Sequence, residues 1–137
     1  MARKAKTWAE KMNAPEPHIE LTDKPFAGIP AGTRMLISSP RELAAWLRDH
    51  VPSGHTITVP ALRLALAEAR GAQAACPLTT SIFLRIAAEA AWDEIDAGAK
   101  LSAVTPFWRA VDPKSELARK LRCGPDWIAH QRDTEAA

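Results

Sequence analysis

Apolar residues recur at helical spacing in three stretches of the chain, with proline and glycine between them. The first stretch places Leu43, Trp46, Leu47 and Val51 on one face of a helix. Ser39-Pro40-Arg41-Glu42, just ahead of it, is a capping box with proline at the first helical position, and Pro52-Ser53-Gly54 ends it. The second stripe is Leu62, Ala65, Leu66 and Ala69, with Thr58 as the cap, Pro60 in the first turn and Gly71 as the stop. The third is Ile82, Phe83, Ile86, Ala90 and Ile95. It predicts a helix capped by Thr79 or Thr80 and running to about Ala97, with Ser81, Arg85, Ala88, Glu89 and Trp92 on its opposite side. Met35, Leu36 and Ile37 predict a short strand within Thr33–Ser38, and the β-branched Thr56–Val59 predicts a brief strand or a cap.

The flanks are less regular. Residues 1–32 read as an arm, because Pro15, Pro17, Pro25 and Pro30 break any long element and Gly28 and Gly32 loosen it. A short helix fits near Thr7–Met12. Residues 33–137 read as the domain proper. After Gly98 an irregular stretch centres on Thr105-Pro106-Phe107-Trp108-Arg109. Asp112-Pro113 opens a basic helix over Lys114–Arg122, stopped by Cys123-Gly124. Pro125-Asp126 starts a last turn or helix, whose end is expected to fray.

Composition narrows the class. A chain of 137 residues suits one domain, and 47% hydrophobic with 25% charged residues excludes a collagen-like or fully disordered chain. Apolar runs fall far short of the roughly 18 residues a membrane span needs, and no apolar segment follows the basic N-terminus as in a signal peptide. Cys76 and Cys123 are too few for a disulfide framework or a four-cysteine zinc site, and the four histidines are scattered. No metal or cofactor is expected, and a reducing cytoplasmic setting is the default. Trp46 is expected in the core, and Trp92 and Trp127 as half-exposed packing residues.

The net charge of +2 does not by itself imply a nucleic-acid partner, but its distribution is uneven. Residues 86–99 hold Glu89, Asp93, Glu94 and Asp96 and no base. Residues 100–122 hold Lys100, Arg109, Lys114, Arg119, Lys120 and Arg122 against Asp112 and Glu116. The start of the third helix, with Thr79, Thr80, Ser81 and Arg85, is free of acid. Two helices joined by a short turn, the second with a clean N-terminal half, form a helix-turn-helix pattern whose recognition helix meets DNA at its start. Arg3-Lys4-Ala5-Lys6 fits a minor-groove arm or a solvated tail.

From Val51 onward the chain resembles the C-terminal domain of alkylguanine–DNA alkyltransferases, over about three-fifths of its length. Val51-Pro52-Ser53-Gly54, then Thr56 and Thr58, resembles that family's "IPxGxVTTY" opening to its helix-turn-helix. Thr80–Ala90 falls at the recognition helix, and Thr105-Pro106-Phe107-Trp108-Arg109-Ala110-Val111 at the "IPCHRVV" active-site strand. Cys123-Gly124 and a closing helix stand at the family's "GG" and terminal helix. The resemblance implies a mainly α-helical, winged-helix-type helix-turn-helix domain with short β elements.

The departures are chemical. Phe107 stands at the methyl-accepting cysteine and Trp108 at its activating histidine, so neither a nucleophile nor a base remains there. The nucleotide-rotating tyrosine falls near Val59, and the chain has no tyrosine. The gap-filling arginine falls near Ser81, with Arg85 one turn later, and Arg109 keeps its place in a role that is mainly structural in the family. This pattern is similar to the alkyltransferase-like proteins, which bind damaged DNA without repairing it. It implies a non-enzymatic binder of double-stranded DNA, alkylated or distorted. The expected contacts are Thr80, Ser81, Arg85, Lys100, Arg109, Lys114 and Lys120, with a base pocket at Pro106, Phe107 and Trp108. Alternatively the two rings fill the vacated pocket as core. Two rival functions stand beside this one: a protein-interaction domain on the same scaffold, and an enzyme using Cys76, whose thiol precedes a helix start.

Overall fold

The computed structural model describes residues 5–137, so Arg3 and Lys4 of the basic arm lie outside the described residues. Six helices and a small sheet follow in the order α1 (Trp8–Lys11), β1 (His18–Leu21), β2 (Arg34–Ile37), α2 (Pro40–His50), α3 (Val59–Ala69), β3 (Ala74–Ala75), α4 (Pro77–Asp96), α5 (Glu116–Lys120) and α6 (Gly124–Ala136). Two 3₁₀ turns, Leu101–Ala103 and Phe107–Arg109, lie between α4 and α5. The fold is mainly α with short β elements. The sheet has the order β1-β2-β3, with β1 antiparallel and β3 parallel to β2. Its strands precede α4, and among the described residues none follows it.

The caps are local chemistry. Ser39 Oγ accepts from the Glu42 N–H at 3.1 Å, and Pro40, lacking an N–H, costs the first turn nothing. The return half of the expected box is missing, because the Glu42 carboxylate accepts from Ser38 Oγ at 2.7 Å and Arg70 Nε at 2.6 Å. Thr58 Oγ1 accepts from the Ala61 N–H, so Thr56–Val59 is a cap rather than a strand. In α3 the buried stripe is Leu62, Leu66 and Ala67, while Ala69 is exposed.

The long helix departs most from its sequence reading. It starts at Pro77 with Cys76 at the cap position, ahead of the expected Thr79 or Thr80. Its buried residues are Thr80, Leu84, Ala87, Ala88, Glu89 and Ala91, and the expected Ile82 is 47% exposed. The reason is its central position: α1, α2, α3 and the Phe107–Arg109 turn all pack against it. A helix covered from several sides carries no single apolar stripe, and its alanines let neighbours approach closely. Glu89 is buried because Arg122 Nε donates to it at 3.0 Å, while Arg122 Nη2 reaches Asp93 at 2.8 Å. The acidic half of this helix is therefore partly neutralised from within the fold.

The N-terminal segment is packed rather than loose. Thr7 caps α1 with a full capping box, α1 lies on α4, and β1 extends the sheet. Trp46 is half-buried at the core edge and stacks on His50 with centroids 4.6 Å apart. The basic helix is shorter than expected, because Ser115 caps it. The closing segment is a helix of 13 residues whose last turn is tied down.

Ser39→Ala removes the acceptor at the start of α2 and should lower stability by about 1 kcal/mol. Chemical denaturation measures this, and an unchanged midpoint would show that water or Ser38 replaces the cap.

Candidate nucleic-acid interface

The closing helix and the Phe107–Arg109 turn are joined by an ionic lock. Glu135 accepts from Trp108 Nε1 at 2.8 Å and from Arg109 at 3.0 Å through Nε and 2.8 Å through Nη2. Arg109 Nη1 donates to the Val51 carbonyl at 2.9 Å, and the Arg109 carbonyl accepts from the Ile57 N–H at 2.8 Å. Four chain segments meet there. Burial alone would raise the Glu135 carboxyl, but the bonds from Arg109 and Trp108 and the arginine charge outweigh it, and its pKa lies below the ordinary 4.5. Gly54 belongs to the same junction. Its φ of +86 lies in the left-handed region, and an added Cβ would sit 3.5 Å from the Glu135 carbonyl.

Above this lock the aromatic side chains close a core. Phe107 and Trp108 are 0% and 1% exposed. Phe107 stacks on Trp127 at 5.6 Å and meets Trp108 edge-on at 5.4 Å, and Trp127 meets Trp92 edge-on at 5.3 Å. Pro106 is buried with them. The expected base pocket at Pro106, Phe107 and Trp108 is thus filled by its own side chains, with no free ring face for an incoming base.

An open cleft of about 390 Å³ lies beside it, within the range of small-ligand sites. Its walls are the Thr56–Pro60 turn, Ser81 of α4, Ala110-Val111-Asp112, and Ser115 with Leu117. Arg132 also lines it and donates to the Trp108 carbonyl at 2.7 Å and the Val111 carbonyl at 2.9 Å. Burial pulls its pKa below the usual arginine value, with Asp112 acting against that. Thr56, Thr58, Ser81 and Ser115 line the cleft, although the Thr58 hydroxyl also caps α3 and the Ser115 hydroxyl is engaged by Asp112 and Ala118. Lys114, between the lining residues Asp112 and Ser115 in the chain, is exposed, and its backbone N–H donates to Asp112 Oδ1.

The other expected contacts scatter. Thr80 is buried and donates to the Cys76 carbonyl at 2.7 Å, so it faces the core and not a groove. Arg109 is committed to Glu135 and Val51, which corrects its assignment as a DNA contact. Arg85 is half-buried with its guanidinium 5.7 Å from the Trp8 ring centroid. Lys100 is exposed but lies beyond the far end of α4, which is itself about 22 Å from Ser81 by helix length. Lys120 is exposed and pairs loosely with Glu116 at 3.9 Å. Of the expected contacts, Ser81 is the one that lines the cleft.

Cys76 is buried and lines a separate cleft with Leu21, Phe26, Met35 and Leu78. The Cys123 thiol is pushed up to about 11 by burial and by the Glu89 charge. Both thiols are free. Among the described residues no group of three or more His, Cys, Asp or Glu side chains gathers as a metal site, and no helix is long and apolar enough to cross a membrane. Sequence reasoning missed Glu135, Arg132 and Glu89. Their signal is weak, since each is a charged residue on a helix whose partner lies 21 or more residues away. No family model, curated protein or solved structure matches the chain.

Trp108→Ala empties a fully buried ring position and should destabilise the fold by about 3–5 kcal/mol in thermal or chemical melting. A near-neutral result would show the ring to be free for a ligand. Glu135→Gln keeps an acceptor oxygen but removes the charge that Arg109 faces, and should cost about 1–2 kcal/mol near neutral pH. The folded Glu135 carboxyl lies below its ordinary value of 4.5, so its contribution is complete above 4.5 and lost as pH falls through the folded value. Melting followed from about pH 6 to about pH 3 should therefore fall less steeply for Glu135→Gln than for the native chain.

Proposed function

We propose that this protein is a non-catalytic binder of double-stranded DNA, a helix-turn-helix domain of winged-helix type resembling the alkyltransferase-like proteins, with alkylated or distorted duplex as its target. The observation that carries this reading is the cleft beside the start of α4. There the three segments that hold the resemblance, Thr56–Thr58, Ser81 and Ala110-Val111, face one another across about 390 Å³. Hydroxyls at its walls can hold phosphate or a base edge, and exposed Lys114, next to the lining residue Ser115 in the chain, is the cation this reading assigns to phosphate. The base site of this reading is the cleft, one step along the chain from the filled position of Phe107 and Trp108. On this reading no methyl group is transferred, in keeping with a cleft lining that has neither a thiol nor a histidine. The setting is cytoplasmic, where both free thiols stay reduced.

A second reading has its own observation. Leu78 and Ile82, one turn apart on α4, are 57% and 47% exposed, and Leu64 of α3 is 57% exposed. Apolar side chains at the start of a recognition helix suit a protein partner better than phosphate. Catalysis by Cys76 is the third reading, and it is disfavoured by the side-chain burial and by the lack of a histidine among the residues lining its cleft.

Titration of labelled duplex, with and without an alkylated guanine, separates the first two. On the DNA reading, affinity falls steeply with salt, and Lys114→Ala flattens the logarithmic salt slope by about one. Ser81→Trp should fill the cleft and erase preference for the lesion while leaving the background binding. Failure to bind any duplex at low salt would transfer the function to the protein-partner reading, and methyl label appearing on Cys76 would revive the enzyme.

A further inference from the structure

Strand β1 is a free edge with a self-complementary sequence. All four of its residues are exposed, with Ile19 at 36% and Leu21 at 71%, and within the sheet it pairs only with β2. The ladder fixes which backbone groups face outward. The Thr22 N–H donates to the Thr33 carbonyl, so residues of the same parity, His18 and Glu20, turn their backbone groups toward β2. The backbone groups of Ile19 and Leu21 therefore point away from the sheet with no strand to receive them. An apolar edge of this kind is a template for another strand.

We propose that this edge pairs with β1 of a second copy, antiparallel about a two-fold axis centred on Ile19, to form a six-stranded sheet. This proposal is independent of the DNA reading, because β1 supplies nothing to the Ser81 cleft.

The register follows from charge. Outward groups can meet outward groups only in registers that centre one residue on its own copy. Centring on His18 sets two histidines opposite each other, and centring on Glu20 sets two carboxylates opposite each other, which is unfavourable. Centring on Ile19 places Ile19 against Ile19 and His18 against Glu20, twice. Within one chain His18 Nε2 and Glu20 Oε1 already lie 2.9 Å apart on the same face, both side chains more than half exposed. Pairing converts that couple into a square in which each imidazole faces two carboxylates, with charges that alternate once His18 is protonated. The Ile19 N–H and carbonyl bond reciprocally across the axis. Leu21 donates to the Pro17 carbonyl of the other copy, where the missing proline N–H costs one bond on each side. Leu21 and Ile19 lie on the other face, where both lose solvent contact.

Sedimentation velocity of the full chain over a concentration series tests this. The expected result is a reversible monomer–dimer equilibrium. Ile19→Pro removes the outward N–H at the axis and should leave a monomer, with far-ultraviolet dichroism and melting confirming the fold. Glu20→Lys should weaken dimerisation by roughly tenfold, the sum of two lost cross-strand charge pairs. The exchange pair His18→Glu with Glu20→His restores opposite charges and should restore the dimer. A chain that stays monomeric at its highest soluble concentration overturns the proposal and leaves the edge to a strand from another protein. A dimer indifferent to Ile19→Pro, or an exchange pair that does not restore it, overturns it as well.

Discussion

The contact between Arg109 and Glu135 ties the last turn of α6 to the Phe107–Arg109 turn and, through the Val51 carbonyl, to the end of α2. Arg109 lies in a short turn that cannot stabilise itself, and Glu135 lies in the last turn of α6, where a carboxylate faces the negative end of its own helix. Each charge is unfavourable alone, and the pairing is what offsets both. Because Arg109 also holds the Val51 carbonyl, the end of α2 and the end of the chain are set by one guanidinium. The turn that starts at Pro52 then has its path fixed between two anchored points, and Thr58 arrives where it can cap α3.

That lock decides what the neighbouring aromatics do. Trp108 donates its indole N–H to the same carboxylate, so its ring is held inward and lies against Phe107 and Trp127. A tetrad that resembles a reactive motif has become the centre of a hydrophobic core. With the rings folded in, the available space lies at Ala110–Asp112, opposite the capped turn and Ser81. Trp108 and Arg109 hold the backbone that leads into that wall, and Thr56, Thr58, Ser81 and Ser115 line the space.

Elements with local signals were legible in the sequence. Ser39-Pro40 and Thr58 name their helix starts because capping needs only residues close in the chain. The strand at Met35–Ile37 and the irregular Thr105–Arg109 segment were legible for the same reason. The face of α4 was not, because its periodicity is that of a helix covered from several sides, and the bulky Ile82 was mistaken for core while small alanines carry the contacts. The strand at His18–Leu21 was hidden by the surrounding prolines, although its polar–apolar alternation was present. The closing helix was underestimated because what stabilises it, Glu135 on Arg109 and Arg132 on two carbonyls, is nonlocal. Among the candidate site residues, Ser81 lies on an exposed face at the start of α4, as its helix position suggested, and it lines the cleft. Thr80 and Arg109 could not be placed from the sequence, since hydroxyl and guanidinium groups serve equally well inside a fold once a partner is supplied.

On the proposed function the Phe107–Arg109 turn is structural and the adjacent cleft is the binding surface. Nuclear magnetic resonance of the isotope-labelled chain during a duplex titration tests both halves at once. The account predicts shifts at Thr58, Ser81, Lys114 and Ser115, while the Trp108 indole proton stays protected from exchange in the free and bound states. Loss of that protection on adding duplex, or shifts centred on Phe107 and Trp108, would contradict it.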